Sequence, residues 1–473
     1  MFSYFIRFDS LKPLYEQLYE HIKKQIHDQA LNPGEKLPSK RVLARELGIG
    51  VQTVVSAYEQ LIAEGYLEAK EKSGYYVSQL PEIMIDDIIV KSRSAKPKVT
   101  ERYLFDFKTS VVDPEHFPYL EWARLEKDVI LDDMQSAINL NTLNGYQPLL
   151  EEIAGYIQRY RGIVTDPDNI VIGSGSESLI AIIKMLLGKG TVALENPGYP
   201  KTRKIYTLNN LDSVAVTVDD WGLNPAKIKD DKVSLIHVTP SHQFPTGTVM
   251  PVSRRLELLE WARKKSDRYI IEDDYDSEFR FAGKPIPALA GLEGGERVIY
   301  LNSFTKSIAP SLRISFMVLP KKLKLRLESE HPYYTCPVSL ISQVALERFI
   351  GRGSFERHLN RMKKIYRVKR DYLISLLNEL PFKDRFQIEG EEAGLHFLLK
   401  FASEVSEVKL VESAAKLGVR VYGLDEYLIE KCEHQPMIII GYSALSLDSI
   451  KKAIKILRTA WAWLGESEDA LAR

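Results

Sequence analysis

The sequence predicts a multidomain protein. A small three-helix domain closed by a β-hairpin, the layout of a winged helix-turn-helix, precedes a larger α/β domain built on a mainly parallel sheet. Three observations predict this. At 473 residues the chain exceeds one ordinary domain and has room for two or three. The first eighty residues carry apolar positions at helical spacing in three short runs, then two strand-like runs. From about Leu104 onward, apolar strand-like runs alternate with helical patterns, as in a sheet wrapped by helices.

Leu14, Leu18, Ile22 and Ile26 recur every fourth residue and give the first helix one apolar face. Asn32-Pro33-Gly34 breaks it. Pro38-Ser39 then sets a hydroxyl at the N-cap of a second helix, with Val42, Leu43 and Leu47 inward and Gly48 just past its end. A third helix turns Val54, Tyr58, Leu61 and Ile62 inward and closes at Gly65; Tyr66 to Val77 reads as two strands about a Lys72-Ser73-Gly74 turn. Such a unit is also a serviceable packing domain, and its net charge decides nothing: residues 1–80 hold ten Lys/Arg and ten Asp/Glu. The distribution is more telling. Lys36, Lys40, Arg41 and Arg45 cluster about the entry to the second helix and suit a phosphate backbone, while Gln52, Thr53 and Ser56 on the third helix suit base edges.

No period persists from Ser78 to about Tyr103. Lys91, Arg93, Lys96, Lys98 and Arg102 make its second half basic, which fits either a tether attracted to DNA or a merely solvated linker. The domains are therefore expected at 1–78, 79–103 (linker) and 104–473.

In the large domain each polar cluster follows a strand-like run, where an open α/β sheet collects ligands. Asn169–Gly173 runs into Ser174-Gly175-Ser176 and a helical stretch, the arrangement of a helix-N-terminal anion site or of a plain tight turn. Thr191–Leu194 ends in Glu-Asn-Pro-Gly-Tyr199, which offers an aromatic face. Ser234–Val238 leads into Thr239–Gly247, and Tyr269–Ile271 into Glu272-Asp273-Asp274-Tyr275-Asp276. No histidine stands near that acid cluster in sequence, so no metal is expected. Val298–Leu301 and Leu312–Leu319 flank a loop, kept from helix by Pro310 and Ser311, whose one lysine is Lys306. A lone loop lysine is normally a solvated charge, but Ser303 and Arg313 beside it suit an amine that forms a Schiff base while neighbours hold a phosphate. Phosphate cradle, stacking aromatic, acid for a ring nitrogen and Schiff-base lysine together point to pyridoxal 5′-phosphate.

Composition sets the remaining bounds. Lys+Arg and Asp+Glu both number 64 and the apolar share is 45%, ordinary for globular chains and silent about a polyanionic partner. Two cysteines without a pairing pattern, no apolar run near the length of a membrane span and no signal-peptide layout predict a soluble cytoplasmic protein.

Resemblance extends these readings. Gly34-Glu-Lys-Leu-Pro-Ser-Lys-Arg-Val-Leu-Ala-Arg-Glu-Leu-Gly48, Thr53-Val and Ala57-Tyr-Glu-Gln-Leu-Ile-Ala-Glu-Gly-Tyr-Leu67 resemble the GntR-type winged helix of bacterial regulators over about Leu14 to Val77. The implied DNA-binding set is Lys36, Ser39, Lys40, Arg41, Gln52, Thr53, Ser56, Lys72 and Gly74. Gly50-Val51 and Tyr75-Tyr76 depart from the family's Ser-Arg and Thr-Phe, which bears on the operator sequence. From about Asp106 onward the chain resembles fold-type I aminotransferases, a PLP-dependent transferase fold with a small C-terminal α+β subdomain. That resemblance makes Lys306 the Schiff-base lysine, pairs Asp273 with the pyridine nitrogen and Tyr275 with the ring hydroxyl, and lays Tyr199 on the ring face. It assigns Ser174, Gly175, Ser176, Ser303, Thr305 and Arg313 to the cofactor as well, chiefly to its phosphate. The fusion, with Thr239–Gly247 and Glu272–Phe279, resembles the MocR/GabR group of transcription regulators over essentially the whole chain. It implies a head-to-tail homodimer on double-stranded DNA, with no membrane partner.

Two functions compete at this stage. In one the large domain senses a small effector, pyridoxal phosphate itself or an amine or amino acid such as GABA, through Lys306. In the other the chain is a working aminotransferase with a DNA-binding appendage. Phe244 stands where aminotransferases carry the Asn of Asn-Pro-Thr-Gly, and Ala444 stands where they carry the carboxylate-binding Arg, which favours the sensor. Lys201 or Arg420 are the candidate substitutes for that clamp.

Overall fold

The computed structural model describes residues 6, 8, 9, 12–71, 73–79, 103–132, 142–281 and 286–465. Lys72 and nearly all of the expected linker lie outside the described residues. The chain divides into two compact units, Met1–Thr100 and Glu101–Arg473. Among the described residues no helix is long and apolar enough to cross a membrane.

The first unit has helices α1 (Leu14–His27), α2 (Lys40–Leu47) and α3 (Val51–Ala63). Ser39 caps α2, its hydroxyl accepting the Val42 N–H at 3.4 Å, and Gly48 ends it at φ 65°. Leu18, Ile22, Leu43, Val54, Tyr58 and Leu61 form one core. Leu14 and Val42, expected inward, are exposed, because each stands in the first turn of its helix where the apolar stripe has not yet reached the core. The hairpin is β2 (Leu67–Lys70) with β3 (Gly74–Val77), and β1 (Lys36–Leu37) adds a third strand against β3. Two residues are too short a run for any sequence period to reveal.

The second unit is organised on a seven-stranded sheet ordered β5-β11-β10-β9-β8-β6-β7. Its strands are β5 (Ile170–Gly173), β6 (Thr191–Asn196), β7 (Asp212–Thr217), β8 (Val233–Val238), β9 (Tyr269–Asp274), β10 (Val298–Ser303) and β11 (Ser315–Val318). Only β11 runs against the rest. Successive residues feed opposite faces: Ile170 and Ile172 enter one core and Val171 the other, as do Val298 and Tyr300 against Ile299 and Leu301. Burial on both faces explains why these strands read as unbroken apolar runs.

The second apolar run beside Lys306 begins later than expected. Pro310–Leu312 makes a 3₁₀ turn, with Pro310 at its first position, and Arg313 follows at φ 53°. Strand pairing resumes at Ser315, opposite Ser303. A smaller antiparallel sheet, ordered β12-β13-β16-β15, forms the C-terminal subdomain from β12 (Phe386–Glu389), β13 (His396–Phe401), β15 (Tyr422–Gly423) and β16 (Met437–Gly441). Beside it β4 (Phe105–Asp106) pairs in parallel with β14 (Val419–Arg420), which returns the start of the unit to its end.

Candidate functional site

The carboxyl ends of β5, β6, β8, β9 and β10 open onto one cavity of about 240 Å³. Gly175, Ser176, Tyr199, Asp273, Tyr275, Ser303, Thr305, Lys306 and Arg313 all line it. Ser174, expected with them, is not among the lining residues; its carbonyl accepts from Nη2 of Arg313 at 2.8 Å.

One pole of the cavity suits an anion. Gly175, at φ 103°, leads into the helix Ser176–Leu187, whose first N–H groups have no partner within the helix. Arg313 lies beside it and also pairs with Glu177 at 2.8 Å. Lys201 donates to the other oxygen of the same carboxylate. Burial pushes Glu177 up, but the hydrogen bonds from Lys201, its own backbone and Arg313 outweigh it and hold the carboxyl at about 2.

The opposite pole suits a heterocycle. Oδ2 of Asp273 lies 3.3 Å from Nε2 of His237, whose Nδ1 is 2.8 Å from the Tyr206 hydroxyl. A carboxylate can only accept, so His237 carries its proton on Nε2 and orients Asp273. Tyr275 donates to the His242 carbonyl at 3.0 Å, and burial pushes its hydroxyl pKa well above the usual value. Asp276 holds Nδ1 of His242 at 3.0 Å, and His396 stacks beside it with ring centroids 4.9 Å apart. The sequence showed no histidine near these acids, yet the fold brings ligand atoms of His242, Asp276 and His396 within 4.8 Å of one another. Chain crossovers did this, and no local pattern announces it.

Lys306 lines the same cavity. Burial lowers its amine pKa to about 8, with Asp276 opposing the shift, so a useful fraction is a free nucleophile near neutrality. Its Nζ donates to the Thr109 carbonyl. Glu195 gives no sequence signal of its own, since it directly continues the apolar run Thr191–Leu194. The residue is buried, burial raises its pKa to about 7, and one oxygen accepts from Thr239. Of the two substitutes for a carboxylate clamp, Lys201 lines the cavity. Arg420 does not: its guanidinium pairs with Glu426 at 2.9 Å and faces the rings of Tyr103 and Tyr422.

These groups fit pyridoxal 5′-phosphate on the structure's own terms. A Cβ at residue 175 would fill the cradle, the anion pole has donors, and the ring pole has an anchored acid and a hydroxyl.

In the first unit, cations gather on the wing. Nζ of Lys36 and Lys70 lie 5.7 and 4.9 Å from the Tyr76 ring centre, and Nζ of Lys40 lies 5.3 Å from that of Tyr75. Arg41 and Gln52 are exposed, and Thr53 and Ser56 half-buried, on α2 and α3. Gly74, at φ 123°, opens β3 beside the Lys36 stem.

Residues 14–77 match the family described as bacterial regulatory proteins, gntR family, and residues 107–434 match aminotransferase class I and II. The chain is 36% identical to the uncharacterized HTH-type transcriptional regulator YdeL of Bacillus subtilis, across 95% of this chain and 97% of that one. It is 31% identical to the probable rhizopine catabolism regulatory protein MocR of Rhizobium meliloti, across 98% and 96%. The chain belongs to the MocR-type family of HTH-type transcriptional regulators. Another MocR-type relative is the pyridoxine biosynthesis transcriptional regulator PdxR of Corynebacterium glutamicum, 30% identical across 87% of this chain and 88% of its own. Among solved structures, the kynurenine aminotransferase of Pyrococcus horikoshii superposes with a TM-score of 0.67 at 22% identity, covering 82% of this chain and 96% of that one. That likeness shows the fold of the MocR-type large domain, fold-type I.

Proposed function

We propose that this MocR-type regulator holds pyridoxal 5′-phosphate on Lys306 and changes its grip on operator DNA when a small effector enters the same cavity. The observation that carries the reading is the buried Lys306 amine, with its lowered pKa, in one cavity with Arg313 and Asp273. Bound there, the cofactor supplies an aldehyde carbon that one amine at a time can hold. Gly175, Ser176, Ser303, Thr305 and Arg313 take the phosphate. Asp273, steadied by His237, keeps the ring nitrogen protonated, Tyr275 faces the ring hydroxyl, and Tyr199 covers the ring. The effector is pyridoxal phosphate itself or an amine or amino acid; the PdxR relative supports the first choice and the rhizopine regulator the second. The regulator acts in the cytoplasm as a head-to-tail homodimer whose two winged helices read two half-sites.

Purified protein loaded with pyridoxal phosphate should show a visible band that borohydride fixes to Lys306. A Lys306→Ala variant that keeps the band would overturn the reading. Steady turnover of an amino donor with 2-oxoglutarate, at ordinary transaminase rates, would replace it with the working-enzyme alternative. Operator binding followed during titration with pyridoxal phosphate, and separately with amines, distinguishes the two effector choices.

A further inference from the structure

Tyr199, which suits the cofactor ring, also joins a wall of distinct chemistry in the cavity. Phe244 is its centre. Its ring meets those of Tyr199, His396 and Tyr427 edge to face, with centroids 5.6, 5.3 and 5.2 Å away. Tyr199, Phe244, Leu395, His396 and Ile429 all face the cavity.

The charges are arranged against an acid. Lys201, Lys306 and Arg313 are the cations among the described lining residues, and Glu177, Glu195, Asp273 and Asp276 the carboxylates. Lys201 is bound to Glu177, and Arg313, which pairs with the same carboxylate, belongs to the anion pole that takes the phosphate, so neither is left for an effector's carboxylate. Nε2 of His396 lies 3.0 Å from the Pro245 carbonyl, which can only accept, so that nitrogen's N–H is already engaged and is not free for a carboxylate. Beside Lys306 the Thr109 carbonyl presents another acceptor, suited to an N–H and not to a carboxylate. A carboxylate in this half of the cavity would meet the carboxyls of Glu195, Asp273 and Asp276 and the Thr109 carbonyl with no cation left to pair with it, which is unfavourable.

We propose that the effector half of the cavity takes a primary amine with an apolar or aromatic body and no carboxylate. The inference rests on the reading that Lys306 holds pyridoxal phosphate, and it narrows that reading to one ligand class. The amine nitrogen lies beside Lys306 and the Thr109 carbonyl, and the carbon body lies against Phe244, Leu395 and Ile429.

Phenethylamine and phenylalanine differ by one carboxylate and make a matched pair of probes. Each is titrated into the full-length protein loaded with pyridoxal phosphate, and the visible band and thermal midpoint are followed. Phenethylamine is expected to half-saturate the change at a concentration about tenfold or more below that of phenylalanine. In Phe244→Ala the half-saturating concentrations of both probes rise. Equal or tighter binding of phenylalanine, or no response to either amine while the borohydride-fixable band is present, overturns the proposal and leaves the cofactor reading standing. An unchanged half-saturating concentration of phenethylamine in Phe244→Ala overturns the role of the aromatic wall. Absence of any band overturns the proposed function, and this inference with it.

Discussion

Gly175 and Arg313 are packed so closely that a Cβ on the glycine would stand 2.3 Å from Nη2 of the arginine. The same glycine sits at φ 103°, a conformation that L side chains rarely adopt. Gly175→Ala should therefore displace Arg313 from the anion pole and strain the turn, at a cost of about 1–3 kcal/mol. The expected outcome is a lower thermal midpoint together with weaker binding of pyridoxal phosphate, read by titrating the visible band. An alanine variant that loads the cofactor as tightly as the parent would mean that Arg313 does not serve the phosphate.

Lys306 should capture the cofactor with a pH dependence of its own. Burial lowers its pKa from the ordinary lysine value to about 8, so the free amine predominates above that pH in the folded chain. The rate at which the visible band grows after mixing should climb from pH 6 and level off above pH 8 to 9. A rate still climbing tenfold per unit between pH 9 and 10 would show an unperturbed lysine.

Glu195 makes the opposite case for a carboxyl. Its folded pKa is raised from 4.5 to about 7, chiefly by burial. The stability contributed by its protonated form is complete below pH 4.5 and is lost as pH rises towards 7, because there the unfolded chain releases its proton first. Glu195→Gln keeps the neutral shape at every pH. The variant should gain on the parent as pH rises from 5 to 8, by on the order of 3 kcal/mol at most. Thermal midpoints of both proteins at the two pH values test this; a difference that does not grow with pH would refute it.

On the wing, Lys36 lies near Tyr76 and has no ion-pair acid beside it among the described salt bridges of that unit. If it grips a DNA phosphate, Lys36→Ala should weaken duplex binding for all sequences alike. The slope of log affinity against log salt should fall by about 0.9. Fluorescence anisotropy on an arbitrary duplex across a salt series measures both. An unchanged slope would remove Lys36 from the DNA-binding surface.

What could be read from the residues in order was whatever a few neighbours decide. The Ser39 cap, the left-handed Gly48, the stripe of Leu18 and Ile22, and the apolar runs Tyr269–Ile271 and Val298–Leu301, which the structure extends to Asp274 and Ser303, each depend on a turn or two of chain. So do the two domain types and the place of Lys306 in a loop between two strands. Helix periods, caps and apolar runs are local physics, and they survive in the linear text. The tertiary structure alone decided which charges meet. It joined Lys201 and Arg313, over a hundred residues apart, on the single carboxylate of Glu177. It brought His242 and His396 to Asp276, turned Arg420 away to Glu426, and made Phe244 the hub of an aromatic wall. Such pairings depend on crossovers between strands and on the return of the C-terminal subdomain to the cavity. No spacing along the chain encodes them, because the distance that matters is set by packing and not by sequence separation.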